Sequence, residues 1–172
     1  MALTRRTPLK RTPFKRKPIA KKETDPDAPK KKVVRKKKSD KRKLIEKLDK
    51  IFSIYIRLRD AMPHSGYVKC ITCGKILHWK ESQACHYIGR ANMALRFSEV
   101  NVHAGCMPCN VFLHGNMLAY RRWMVKQYGE KIVDNLELRG NIEVKKWSEW
   151  ELEETIKYYT ALVEKIKSDK GL

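Results

Sequence analysis

A chain of 172 residues and 20.2 kDa has room for one modest domain with tails. Its 39 Lys/Arg against 19 Asp/Glu give a formal charge of +20, and no apolar run approaches the roughly 18 residues that would span a bilayer. A membrane-embedded role is thereby excluded, and with no hydrophobic core of a signal peptide at the N-terminus the expected setting is the cytoplasm.

The charge is uneven. Residues 1–43 hold 19 Lys/Arg against 4 Asp/Glu, leaving only +5 on the other 129 residues. Such an arm suits a polyanion, because each phosphate it neutralises releases counterions and gives salt-sensitive, sequence-blind binding. Residues 1–38 read as that arm. Thr7-Pro8-Leu9-Lys10-Arg11 is nearly repeated as Thr12-Pro13-Phe14-Lys15-Arg16, and Pro18, Pro26 and Pro29 stop any helix. Self-repulsion and few apolar residues predict disorder until DNA is met, with Arg5, Arg6, Lys10 and Arg11 as phosphate contacts.

Residues 39–62 are expected to form a helix, capped by Ser39 or Asp40 and running to about Ala61, with Leu44, Ile45, Leu48, Ile51, Phe52, Tyr55 and Leu58 at helical spacing. Arg57 and Arg59 near its end are either phosphate contacts or a solvated face. Residues 63–116 hold the metal motifs. Short strands are expected over Tyr67–Lys69 and Ile76–Trp79, flanking a Cys70-Ile71-Thr72-Cys73-Gly74 knuckle. A second pair over Gln83–Ile88 and Asn101–His103 encloses a loop with Arg90, Arg96 and Phe97, whose two arginines are candidate DNA contacts. A helix from about Pro108 would carry Asn110 and His114 on one face and bend or end at Gly115. Residues 117–172 read as helical: one helix to Tyr128, one over Glu130–Leu138 ending at Gly140, and a last one opened by the Ser148-x-x-Glu151 capping box. The apolar stripe of the last helix is either core or a dimer surface.

Cys70-x2-Cys73 and Cys106-x2-Cys109 can close one tetrahedral site, since each pair places two thiolates on one tight turn. In a reducing compartment they read as ligands of a structural Zn2+ rather than as disulfides. Between and after them stand His86, Asn101, Asn110 and His114. Taken singly, each histidine reads as an ordinary surface or core residue. Together they follow the order of a zinc-stapled HNH nuclease: His86 as general base, Asn101 bonding the backbone of the inter-strand loop, and Asn110 with His114 holding a catalytic Mg2+ or Mn2+. His103 is the second choice for the base. The expected fold is α+β, a zinc-stapled ββα-metal (HNH-like) core with flanking helices and a disordered basic N-terminal arm.

Cys85-His86-Tyr87-Ile88-Gly89-Arg90, Leu95-Arg96-Phe97, Asn101 through Asn110 and Gly115-Asn116 closely resemble the NinG (Rap) recombination proteins of lambdoid phages. Leu48–Ala61 and the Thr-Pro-Leu-Lys-Arg style of the arm are also similar. The resemblance covers about residues 40–140. It implies a structure-specific endonuclease of the bacterial host cytoplasm, acting on branched DNA such as D-loops and Holliday junctions, with phage or host recombination proteins as partners. The two-fold symmetry of a junction suggests a homodimer. Cys85 departs from the usual HNH pattern, which has Asp or His before the base. It is a small filler, or the ion is held by Asn110, His114, phosphate and water, or a group such as Glu99 helps. The competing classes are a non-catalytic zinc module that binds DNA and recruits recombination factors, and an HNH nuclease acting on linear duplex.

Overall fold

A computed structural model describes residues 39–172; the arm expected over 1–38, with Arg5, Arg6, Lys10 and Arg11, lies outside the described residues. Helix α1 spans Asp40–Arg59, and the Ser39 hydroxyl caps it by accepting from the Arg42 N–H at 3.4 Å. Leu48, Phe52, Tyr55 and Ile56 recur every three or four residues and are all buried, forming one apolar stripe. The stripe packs on Leu152, Ile156, Tyr159 and Val163 of helix α4, Glu149–Lys170, whose N-terminus has the full Ser148/Glu151 capping box.

Tyr159 sits 4.9 Å, centroid to centroid, from both Phe52 and Tyr55. At the far end the Lys170 ammonium donates to the carbonyls of Leu58, Arg59 and Ala61 at 2.9, 2.8 and 2.5 Å. The two helices therefore run parallel. One ammonium satisfies carbonyls left orphaned where α1 ends and places a positive charge at the negative pole of its dipole.

Two small antiparallel sheets lie between these helices in sequence. Strands β1, Tyr67–Lys69, and β2, Ile76–His78, pair with Val68 opposite Leu77. Strands β3, Gln83–His86, and β4, Val102–Gly105, pair with Cys85 opposite His103 and His86 opposite Val102. The sequence predicts β3 to Ile88, but after the Tyr87 N–H bonds the Asn101 carbonyl at 2.9 Å the ladder ends, because the Asn101 N–H turns to the Ser98 carbonyl at 3.0 Å in the tight turn Glu99–Asn101 and only the Asn101 side chain reaches on to Ile88. Its Oδ1 accepts from the Ile88 N–H at 2.7 Å and its Nδ2 donates to the Ile88 carbonyl at 2.9 Å. A side-chain amide thus satisfies both backbone groups of the residue just beyond the ladder.

The expected helix after Cys106 is a single π-helical turn, Pro108–Phe112. It is followed by three residues with positive φ: His114 at 48°, Gly115 at 90° and Asn116 at 47°. Asn110 and His114 consequently do not share a regular helical face. Helix α2, Met117–Tyr128, then packs with α3, Glu130–Ile142, around buried Tyr120, Met124, Val133 and Leu136, against Cys85, Tyr87 and Leu95.

Helix α3 passes through Gly140 instead of ending before it. The glycine is there for close approach: a Cβ would lie 3.2–3.4 Å from three carbons of Ile88, and Asn92 Nδ2 donates to the Gly140 carbonyl at 2.8 Å. This docks the β3–β4 loop onto α3. Gly140→Ala should therefore destabilise the protein by about 1 kcal/mol although alanine is the better helix former by about that amount. In an Ile88→Ala background the same change should stabilise it. Urea unfolding of the two pairs measures the reversal, and an equal effect in both backgrounds would deny the contact its role.

Candidate metal centre and active-site cleft

The Sγ atoms of Cys70, Cys73, Cys106 and Cys109 all lie within 4.8 Å of one another, and those of Cys73 and Cys106 are 3.6 Å apart. Four thiolates at about 2.3 Å from a tetrahedral zinc stand about 3.8 Å from each other, so the cluster is sized for such an ion. The first pair rides on a knuckle in which the Gly74 N–H donates to the Cys70 carbonyl at 2.9 Å and the Cys70 N–H to the Lys75 carbonyl at 2.8 Å. The knuckle needs φ 76° at Gly74.

Burial opposes ionisation of Cys70, yet bonds from the Thr72 hydroxyl and the N–H groups of Cys73, Cys106 and Thr72 outweigh it and bring the thiol down to about 6. Burial, together with its neighbouring sulfurs, pushes Cys106 up to about 12. Four sulfurs so close cannot all ionise without a cation among them, and a soft thiolate set fits a metal such as zinc.

His86, Asn110 and His114 line one cleft of about 800 Å³, together with Arg57, Lys80, Glu81, Gln83 and Arg90. The half-buried His86 presents Nε2 to the Arg96 carbonyl at 3.1 Å. A carbonyl only accepts, so the proton sits on Nε2 and the Nδ1 lone pair is the free end. Burial, with help from the Arg90 charge, pulls this imidazole down to about 4. The Arg96 carbonyl is itself held. Its guanidinium forks onto Asp49 with bonds of 2.9 and 2.5 Å and donates to the Arg90 carbonyl at 2.8 Å.

Asn101 is fully buried and ties both ends of the same loop, donating also to the Leu95 carbonyl at 3.0 Å. Asn110 donates from Nδ2 to Gln83 Oε1 at 2.7 Å, which leaves its Oδ1 as the available end of the amide. His114 reaches the cleft through the positive-φ turn rather than through helical register.

Other expected groups are placed elsewhere. His103 is a core residue: Tyr128 donates its hydroxyl to Nε2 at 2.7 Å, Nδ1–H donates to the Tyr120 hydroxyl at 3.0 Å, and Tyr120 donates onward to the Cys85 carbonyl at 2.9 Å. With both ring nitrogens engaged, it has none left to act as a base. Glu99 accepts from Tyr55 and Tyr159 at 2.7 and 3.3 Å and does not line the cleft. Cys85, one residue before His86, points to the other side of β3. Its thiol is buried so tightly that a Cβ on Gly105 would lie 2.6 Å from its sulfur, and burial pushes it up to about 12.

Arg96, expected on phosphate, is committed to Asp49, and Arg59 to Asp60 and the Glu99 and Val102 carbonyls. Arg90 is exposed on the cleft wall. Sequence reasoning missed Lys80 and Gln83, and of the polar row Asp49, Ser53 and Arg57 it singled out only Arg57. The row was legible as i, i+4 spacing along the face of α1 away from its apolar stripe.

A small mixed protein of helices and two-stranded sheets, stapled by four cysteines that can hold a metal beside a basic cleft, is the class that fold and site define. The family described as Bacteriophage Lambda NinG protein matches residues 2–169, and the chain belongs to that family. It is similar to protein ninG of Escherichia phage lambda, 29% identical over 97 residues that cover 56% of this chain and 45% of the relative. Protein ninG of Escherichia phage 933W is 29% identical over 97 residues, with 56% and 46% covered. That of Salmonella phage P22 is 29% identical over 93 residues, with 54% and 43% covered. The chain spans less than half the length of these relatives. No solved structure matches it significantly. Among the described residues no helix is long and apolar enough to cross a membrane.

Two measurements check this geometry. Elemental analysis should find one tetrathiolate metal ion per chain, lost in Cys106→Ser and kept in Cys85→Ala; loss in both would put Cys85 in the coordination shell. Acid titration should show stability falling between pH 6.5 and about 4. His86 and His103 are both held at about 4 in the native state, chiefly by burial, while the unfolded chain protonates them near 6.5. The unfolded state therefore binds more protons across that window, and stability is retained above it and lost as pH falls through it. His103→Gln should remove about half of the slope that the two contribute.

Proposed function

We propose that the cleft is the active site of a metal-dependent endonuclease of the HNH type that hydrolyses phosphodiester bonds in branched DNA. The observation that carries this reading is the convergence of His86 from β3 with Asn110 and His114 from the turn after β4 on one basic cleft. Arg57, Lys80 and Arg90 on its walls suit a phosphodiester backbone. His86, with its Nε2–H fixed on the Arg96 carbonyl, offers Nδ1 to take the proton of an attacking water as the phosphorus–oxygen ester bond breaks. Asn101 positions it by pinning the loop that carries that carbonyl.

Asn110 Oδ1 and the His114 imidazole are the donors that would hold a divalent ion. Two neutral donors fit the water-rich shell of Mg2+ or Mn2+. Such an ion, when bound, stabilises negative charge on the phosphate and the leaving oxygen. The staple is read as Zn2+. The branched substrate follows from the family resemblance, and the whole activity of the longer relatives is likewise a proposal for this chain.

A second reading, a DNA-binding module without catalysis, is favoured by one feature: Glu81 is the single carboxylate lining the cleft. Incubation with branched DNA and matched linear duplex, in Mg2+ or Mn2+, separates the two. The nuclease reading expects cleavage of the branched form, reduced about 10²- to 10⁴-fold in His86→Ala with DNA affinity retained. Because His86 in the free protein is neutral down to about pH 4, kcat/KM should show no acid limb near 6.5. Binding by both proteins without cutting by either would leave only the module.

A further inference from the structure

The π-helical turn and the start of α2 expose an unusual amount of apolar surface. Within residues 107–118, Met107, Val111, Phe112, Leu113, Met117 and Leu118 are all exposed, Phe112 at 66%, Leu113 at 57% and Leu118 at 78%. Exposed apolar residues in such a cluster mark a binding surface. The segment is held firmly. The Gly115 N–H donates to the carbonyl of Cys109, one of the four clustered cysteines, at 2.9 Å, and the Asn116 N–H to the Leu113 carbonyl at 2.8 Å. Non-glycine residues at φ 48° and 47° on either side of Gly115 persist only where the surroundings fix them. Phe112 and Leu113 are thus presented on a rigid mount, with little ordering left to offset on binding.

Position and charge say what covers them. Val111 lines the cleft with Asn110 and His114, so Phe112 and Leu113 stand at its edge. The chain holds no Asp or Glu between Glu99 and Glu130, while Arg122 and Lys126 follow on α2, where Arg121 is paired with Asp134 and Glu137 of α3. A second copy of a chain with a charge of +20 is repelled from such a surface. A polyanion seated in the cleft is attracted to it. The apolar parts of a nucleic acid are its base faces. In a continuous duplex these are stacked and closed, and at a branch point they are open.

We propose that Phe112 and Leu113 form a wedge that stacks on the unpaired or unstacked bases at a DNA branch, and that this contact gives the cleft its preference for branched over linear DNA. The inference rests on the reading of the cleft as a DNA seat.

The test uses the full chain carrying His86→Ala, so that DNA is bound without being cut, and a four-way junction with 2-aminopurine either at the branch or within an arm. Binding should change the fluorescence of the branch probe and leave the arm probe unchanged. Phe112→Ala should abolish the change and weaken junction affinity about tenfold, with linear-duplex affinity altered less than about twofold. Phe112→Trp should retain both, since it keeps an aromatic face, whereas Phe112→Ile should not. Metal content and circular dichroism confirm that each variant is folded.

Equal loss on both DNAs, or rescue by isoleucine, would overturn the wedge. So would an unchanged branch signal together with a wild-type dimer that becomes monomeric in Phe112→Ala, which would mark a self-association surface. With native His86, cutting without the branch signal removes this inference alone. The branch signal without cutting removes the nuclease reading alone.

Discussion

The tie between Cys70/Cys73 and Cys106/Cys109 is the constraint on which the rest depends. Neither sheet has more than two strands, and no strand exceeds four residues. Two-stranded ribbons of that size are marginal in water. The knuckle of the first sheet and the turn after the second are joined through four sulfurs, and a metal held there closes a loop of more than thirty residues in one step. The same tie places the π-helical turn. Because Cys109 is both a thiol of the cluster and the acceptor for the Gly115 N–H, the position of His114 is set by the staple. A group on the cleft wall is fixed from the metal side, and its strained turn is held by bonds that lie outside the cleft.

On the other side of the cleft, positioning comes from partly buried polar pairs and the buried Asn101 rather than from sulfur. Asp49 holds Arg96, whose carbonyl holds His86; Asn101 holds Ile88 and Leu95 at the two ends of the same loop; Gln83 holds Asn110. Each of these bonds is made by a group with a partner in a different segment. Loss of one member leaves a buried donor or acceptor unsatisfied, which costs about 1–3 kcal/mol. In such a small fold that is a large part of the total. The polar residues around the cleft therefore support the fold and, on the proposed reading, also position the reacting groups. Arg96 illustrates this: a residue expected to touch phosphate acts instead by orienting an imidazole.

What the sequence discloses is what is encoded locally. Paired CxxC motifs, the apolar stripes of α1 and α4, the Ser148 capping box and the stop at Gly129 are each short-range patterns, and the structure has them at the expected positions. The departures all arise from contacts distant in sequence. Strand β3 ends early because the Asn101 N–H opposite it bonds Ser98 instead, and the backbone groups of Ile88 are taken by the Asn101 side chain thirteen residues on. Gly140 continues α3 because Ile88 packs on it. His103 is the second choice for a base from the sequence, and only the tyrosines of α2 reveal it as core. The helix carrying Asn110 and His114 was inferred from an i, i+4 spacing, yet the cluster thiols and three positive-φ residues override that period.

The low affinity of His86 for protons bears on how the proposed reaction would be driven. An imidazole held at about 4 is neutral and available at any physiological pH, but it is a weak base, and proton transfer is most efficient when the base matches the working pH. Two of the causes that lower it are charges on Arg90 and Arg96. In the proposed complex a phosphate seated against Arg90 offsets one of these charges and adds an anion that stabilises the imidazolium. Substrate binding then raises the basicity of His86 towards neutrality. On the proposed reading the free protein keeps a poor base, and bound DNA would strengthen it at the place where it is used. Burial, the largest cause, acts in the opposite direction and limits the rise.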